Sequence, residues 1–219
     1  SDHVHIPPEF APSDINHLYH QSFGDHIPSW GSGIYYGDGS GGKHHEYSKL
    51  RRCGCAVGKL NSLGFPGQVV STNLPGETQT VNRAENYSFI LLLELLEPFS
   101  VITYVTDHKN LSDHFPKGIE YNKDSLNVDQ YVQMYSLIAN KNITVREVKR
   151  CKAHLFEDSV LPEGMTVEHV RGNKMADAAA GLAANKWQIP FHISQKILAI
   201  YDKLKAIYSF PEQLIFIDK

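Results

Sequence analysis

The run Val101-Ile102-Thr103-Tyr104-Val105-Thr106 constrains this chain more than any other segment. Every residue in it favours extended backbone, none is charged, and such continuous runs suit a central strand covered on both faces. It ends at Asp107, which places an acid on a strand tip. Upstream, Ile34-Tyr35-Tyr36 opens a short strand that runs into Gly37-Asp38-Gly39-Ser40-Gly41-Gly42, whose glycines and aspartate mark a turn and put a second acid, Asp38, on a strand end. Cys53 to Leu60 and Gly67 to Thr72 continue this as an antiparallel meander.

Helical patterns fill the gaps between these strands. Thr80 is predicted to cap a largely buried helix with an apolar face at Ala84, Tyr87, Ile90, Leu91 and Leu95, ending before Pro98. Beyond the central run come a short helix over His108 to His114, a second over Asp129 to Ile138 with Asp129 as its cap, and a fifth strand over Ile143 to Val148. An alanine-rich helix follows over Lys174 to Lys186, opened by a Gly172-Asn173 turn. The element order is β-β-β-α-β-α-α-β-α. Residues 1–32 read as an irregular arm, and residues 187–219 as a helical extension. Ser194 is predicted to cap that extension, Ile197, Leu198, Tyr201, Leu204 and Ile207 form its stripe, and an apolar tail ends it.

Composition bounds the function. At 219 residues, with 42% hydrophobic and 21% charged, the chain has the make-up of an ordinary folded protein with room for a substantial core. A net charge of −3 provides no global field to draw in a polyanion, so any nucleic-acid contact must be local. Cys53, Cys55 and Cys151 are an odd count and read as buried thiols in a reducing compartment. The Cys53/Cys55 pair beside His44 and His45 lacks a second pair to complete a zinc site. Phe89 to Leu96 is too short for a membrane span. The Ser1-Asp2-His3-Val4-His5 start is unlike a leader peptide, and the absent initiator Met suggests an excised fragment of an intracellular protein.

Four acids stand out by their settings: Asp38 and Asp107 at strand ends, Glu85 early in a helix, and Asp177 in the alanine-rich helix. A lone acid in any of these places is ordinarily a turn former or a helix-dipole partner. If the first and fourth strands are neighbours, however, Asp38 and Asp107 emerge together and the helix-borne acids can lean over the same point. Carboxylates so gathered repel one another unless divalent cations intervene, and hard oxygen ligands are the set preferred by magnesium or manganese.

Over residues 33–186 the chain resembles the type-1 ribonuclease H domain, in the form found beside reverse transcriptases in retroelements. Seven motifs carry the resemblance, in the family's order: Asp38-Gly39-Ser40-Gly41-Gly42; Arg51-Arg52-Cys53-Gly54-Cys55-Ala56-Val57; Pro75-Gly76 through Ala84-Glu85; Val105-Thr106-Asp107; Asn127-Val128-Asp129-Gln130-Tyr131; Lys152-Ala153-His154; and Gly172-Asn173-Lys174-Met175-Ala176-Asp177. The resemblance implies an α/β fold built on a mixed five-stranded sheet with flanking helices. It also implies an Asp38, Glu85, Asp107, Asp177 set holding two Mg2+ ions, with Mn2+ as a substitute, and hydrolysis of the RNA strand of RNA·DNA hybrids to 5′-phosphate and 3′-hydroxyl ends. A reverse transcriptase domain of a parent polyprotein is the implied protein partner, and no membrane is involved.

The resemblance further implies a mobile loop histidine that relays protons, for which His154 is the matching position and His169 the rival in the long segment from Leu155 to Arg171. Substrate contacts are expected at Gly39, Ser40, Thr80 and Asn82 by family position. Lys43, Arg51 and Arg52 are expected from charge: residues 43–59 carry Lys43, Lys49, Arg51, Arg52 and Lys59 against Glu46 alone. Val81 and His108 depart from the family's commoner asparagine and serine, which bears on affinity and fine preference. The competing function is an inactive nucleic-acid-binding or spacer module of the same fold. A full set of mutually repelling acids argues against it, because a decayed site has no physical reason to keep them.

Overall fold

The computed structural model describes residues 4–24 and 29–217, with side chains described as far as residue 208. Residues 1–3 of the Ser1-Asp2-His3-Val4-His5 start, and the side chains of the apolar tail, lie outside the described residues. Strand β1 (Tyr19–Ser22) is followed by β2 (Gly33–Ser40), β3 (Gly54–Leu60) and β4 (Pro66–Asn73), then by helix α1 (Val81–Leu95) and strand β5 (Val101–Thr106). Helices α2 (Lys109–His114), α3 (Gly118–Asn122) and α4 (Val128–Lys141) lead to strand β6 (Thr144–Arg150), and α5 (Val167–Lys186) and α6 (Phe191–Ile217) complete the chain.

The strands form one mixed sheet in the order β1-β4-β3-β2-β5-β6. Strands β2, β3 and β4 are the expected antiparallel meander, whereas β5 runs parallel to β2 and β6 parallel to β5. The sheet has six strands rather than five, because Tyr19–Ser22, within the arm expected to be irregular, pairs antiparallel with β4. Its sequence, Tyr19-His20-Gln21-Ser22, has no apolar alternation and its side chains stay largely exposed. Edge pairing rather than burial holds it, so periodicity gives no warning of it.

Helices cover both faces, as the central run requires. On one face α1 buries Phe89, Ile90, Leu91, Leu92 and Leu93 against Tyr35, Ile102 and Tyr104, and α4 adds Tyr131 and Met134 behind it. On the other face α5 packs Met175, Ala179 and Ala180 on Ala56 and Val69. Small residues allow this second layer to sit close. Gly172 lies so near the Tyr36 ring that a Cβ there would overlap ring carbons. That close approach corrects the expected Gly172-Asn173 turn: both residues are inside α5, which begins earlier at Val167 behind the Thr166 cap.

Two other capping expectations change. The N-cap of α4 is Asn127, without a side-chain cap bond. Asp129 instead receives Arg83 Nη1 and Nη2 on its two oxygens at 2.9 and 2.7 Å, tying α4 to α1. Ser194 lies inside α6, buried, with its hydroxyl donated to the Phe191 carbonyl. The stripe Ile197, Leu198, Tyr201 and Leu204 packs within the chain, joining Val4, Leu50, Tyr47 and Ile189 in a satellite core that unites the N-terminal arm, the loop before β3 and α6. Ile207, at the end of the predicted stripe, is 63% exposed.

Candidate active site

Register brings the strand acids together. Tyr36 of β2 pairs with Val105 of β5 in parallel, so Asp38 and Asp107, each two residues further on, leave the sheet side by side. Glu85 reaches the same point from α1. Gly39 permits this, since a Cβ there would lie 2.6 Å from the Glu85 backbone nitrogen. Thr80 starts that helix by accepting from the Arg83 N–H, as its sequence position predicts. Carboxylate oxygens of Asp38, Glu85 and Asp107 all lie within 4.8 Å of one another, the one such group of potential metal ligands among the described residues.

Asp177 approaches from the other face of the sheet, on α5. Its side chain is exposed and outside that tight trio, yet its charge acts on both Asp38 and Asp107. All four predicted acids therefore border one point, three of them converging closely.

The electrostatics follow from crowding like charges in a half-dry pocket. Asp38 is 3% exposed and its pKa is pushed up to about 8, first by burial and then by the Asp107 charge, with Asp177 adding to the rise and a hydrogen bond from Glu85 opposing it. Glu85 is raised well above the usual carboxylate range by burial, then by Asp38. Burial, followed by the charge of Asp177, also raises Asp107, while His154 pulls it down. Such a cluster holds extra protons or a cation. Two details favour a cation: Glu85 Oε2 is buried with no hydrogen-bond partner, and the donors are all hard oxygens. The residues present thus fit divalent ions of the Mg2+ or Mn2+ type.

Supporting bonds hold the strand tip. The Gly39 N–H donates to Asp38 Oδ1 at 2.9 Å, and the Ser88 hydroxyl donates to the Asp38 carbonyl. Gln79 is 5% exposed; its Oε1 accepts from Cys53 N–H, and its Nε2 donates to the carbonyls of Leu74 and Gly76, bracing the approach to Thr80. Neither Ser88 nor Gln79 carries a periodic or charge signal, so single-sequence reasoning does not weigh them.

The two histidines separate clearly. His154 is exposed, on a loop, with a left-handed φ of 58°, and near enough for its charge to act on Asp107. His169, read as a loop candidate, is buried at the third position of α5, where its Nδ1 accepts from Thr166 N–H and its own N–H donates to Thr166 Oγ1, both at 3.2 Å. It completes a capping box.

The residues expected to contact nucleic acid are unequally placed. Lys43 is exposed, and Asn82 is exposed on the first turn of α1 beside the Thr80 cap. Ser40 is half-buried and accepts from Gly42 N–H. Arg51 is half-buried, donating to the Gly41 carbonyl and meeting His45 Nδ1 at 2.9 Å. Arg52 is 5% exposed and committed internally: Nη1 donates to the carbonyls of Lys49 and Arg51, and Nη2 to that of Phe10. It is turned away from any phosphate, because closing the satellite core leaves three backbone carbonyls for it to satisfy. The three cysteines are buried and free. No helix among the described residues is long and apolar enough to cross a membrane.

The sequence matches no family model and no curated protein. Solved structures do resemble the fold. The solution structure of the PFV RNase H domain matches with a TM-score of 0.52 at 17% identity, covering 71% of this chain and 95% of that one. The protease-reverse transcriptase of prototype foamy virus matches with a TM-score of 0.52 at 17% identity over 74% of this chain and 22% of that one. A foamy viral protease-reverse transcriptase in complex with dsDNA gives 0.51 at 14% identity over 74% of this chain and 99% of that one. The chain thus has the ribonuclease H fold, a six-stranded mixed sheet with flanking helices.

Proposed function

We propose that this chain is a divalent-metal-dependent endonuclease that hydrolyses the RNA strand of RNA·DNA hybrids. One observation carries the proposal: three carboxylates converge within 4.8 Å at the end of the two adjacent parallel strands, in a fold shared with RNase H domains. The seven sequence motifs point the same way. Residues 33–186 form the body of the proposed enzyme, with the flanking segments as supports.

Asp38, Glu85, Asp107 and Asp177 are the residues that would hold the cations. Bound there, divalent ions supply acidification of an attacking water and neutralisation of charge on the phosphate. The chain's own part is positional and electrostatic. Asp38, fixed by Gly39 N–H, is set before substrate arrives, so little reorganisation is needed there at the moment of reaction. His154, exposed at the rim, can accept or return a proton as product departs. Lys43 and Arg51 would pair with phosphates, and Thr80 and Asn82, at the start of α1, would contact the hybrid's minor groove, where the 2′-hydroxyl distinguishes RNA from DNA. A reverse transcriptase domain as the covalent neighbour is supported by the foamy-virus protease-reverse transcriptase match.

The test is cleavage of a labelled RNA·DNA hybrid with millimolar Mg2+ or Mn2+. The intact chain should cut the RNA strand, leaving 5′-phosphate ends. Asp38→Asn should retain the fold and lose more than about 100-fold in rate, because groups one shell further from a metal already cost 10–100-fold. Undiminished cutting by Asp38→Asn would overturn the assignment, and hybrid binding without cutting by the intact chain would favour the inactive module.

A further inference from the structure

Beneath the acid cluster lies a polar group that neither the motifs nor the proposed chemistry uses. Tyr104 is a fully buried tyrosine of β5, three residues before Asp107. Its ring stacks on Phe89 of α1 at 4.7 Å between centroids, and Phe89 is one helical turn beyond Glu85. The hydroxyl ends in the space where a side chain at position 37 would begin: a Cβ on Gly37 would collide with it. Gly37 and Gly39 face the same side of β2, and Gly39 is the residue against which the Glu85 backbone rests. The Tyr104 hydroxyl therefore stands below Glu85, on the α1 side of the strand that carries Asp38.

Among the buried polar atoms without a hydrogen-bond partner are the Tyr104 hydroxyl and Glu85 Oε2. One can donate and the other accept. Of the charges that act on the Tyr104 hydroxyl, that of Glu85 is the strongest, followed by those of Asp38, Cys55 and Asp107. A tyrosine used only for packing has no need of the oxygen, since phenylalanine would fill the ring site without burying an unpaired donor.

We propose that Tyr104 is a positioning residue for Glu85: its O–H donates to the otherwise unpartnered Oε2, directly or through one buried water, and so sets the carboxylate for cation binding. Gly37 is the companion of this device, because only a residue without a Cβ leaves room for the hydroxyl. The inference rests on the divalent-cation reading of the acid cluster and adds to it a group one shell out, of the kind that orients metal-holding carboxylates.

The test is Tyr104→Phe, measured by titrating Mn2+ into the full chain without nucleic acid, with a thermal melt in chelator beside it. Removing one oxygen keeps the Phe89 stack, so the variant should fold and melt no lower than the parent, while its Mn2+ affinity falls about tenfold or more. A packing role alone predicts unchanged affinity, and superimposable titrations of variant and parent would overturn the proposal. If the parent itself takes up no Mn2+, the cation reading fails and this inference with it, a result distinct from equal binding by both. A crystal structure of the Mn2+-soaked parent reads the same point without a variant: a Tyr104 hydroxyl within hydrogen-bond distance of Glu85 Oε2, or bridged to it by a single water, is expected. A hydroxyl facing elsewhere would overturn the proposal.

Discussion

The ring of Tyr36 lies directly against Gly172, with no space for a methyl group between strand β2 and helix α5. This contact sets how near α5, and with it Asp177 five residues on, comes to the sheet. Gly172→Ala gains about 1 kcal/mol of helix propensity but forces overpacking that costs about 1–3 kcal/mol. We expect a net loss of up to about 2 kcal/mol by urea denaturation, together with slower cleavage. A variant as stable as the parent would show that the two elements are free to separate.

The raised Asp38 pKa makes stability depend on pH in the cation-free protein. Its carboxyl titrates near 8 when folded, against about 4 when unfolded. The folded state therefore holds the proton more tightly, and the stability this contributes is lost as pH rises towards 8. Half-buried His108, lowered to about 4 by burial, acts with the opposite sign between pH 4 and about 6.5. The clean window is thus about pH 6.5 to 8. In chelator, Tm should fall by a few degrees across that window, on the scale of ~2–4 °C per kcal/mol for a chain of this size. Added Mg2+ should raise Tm most at its alkaline end. A flat profile would remove the crowding argument.

His154 and His169 should part in opposite directions. His169→Ala breaks the capping box of α5 and should cost about 0.5–2 kcal/mol of stability. His154→Ala should leave stability unchanged and slow cleavage on the order of 100-fold. Paired melts and single-turnover rates check both, and a greater rate loss at His169 would reverse the roles.

Arg83 and Asp129 form a two-pronged ion pair with Arg83 mostly covered and Asp129 63% exposed on its side chain. Screening by solvent limits its worth, so Asp129→Ala should cost no more than about 1 kcal/mol and leave the cleavage rate intact. Because Arg83 lowers the Asp129 pKa, this contribution is present above about pH 4 and disappears as pH falls below it. A large rate loss in that variant would place Asp129 in the substrate path instead.

The acid cluster was legible in the sequence because strand tips are marked by local chemistry: a β-favouring run followed by a turn-forming aspartate announces both position and direction. Helix α1 was equally plain, from the Thr80 cap and a dense apolar face. What escaped depends on contacts distant in the chain. Gly172 reads as a turn residue locally, and only the Tyr36 ring, 136 positions earlier, explains it as a packing residue. Arg52 reads as a surface cation until the Phe10 carbonyl claims it. Strand β1 is held by backbone pairing, which leaves no trace in side-chain periodicity.

The satellite core has a practical consequence for anyone dissecting the molecule. Val4, Leu50 and Ile197 come from three distant stretches, and Arg52 and Lys49 bond to carbonyls of Phe10 and Val4. Trimming either flank back to residues 33–186 would spare the carboxylates but untie the basic loop, so a minimal fragment should keep its chemistry while weakening its grip on long duplexes.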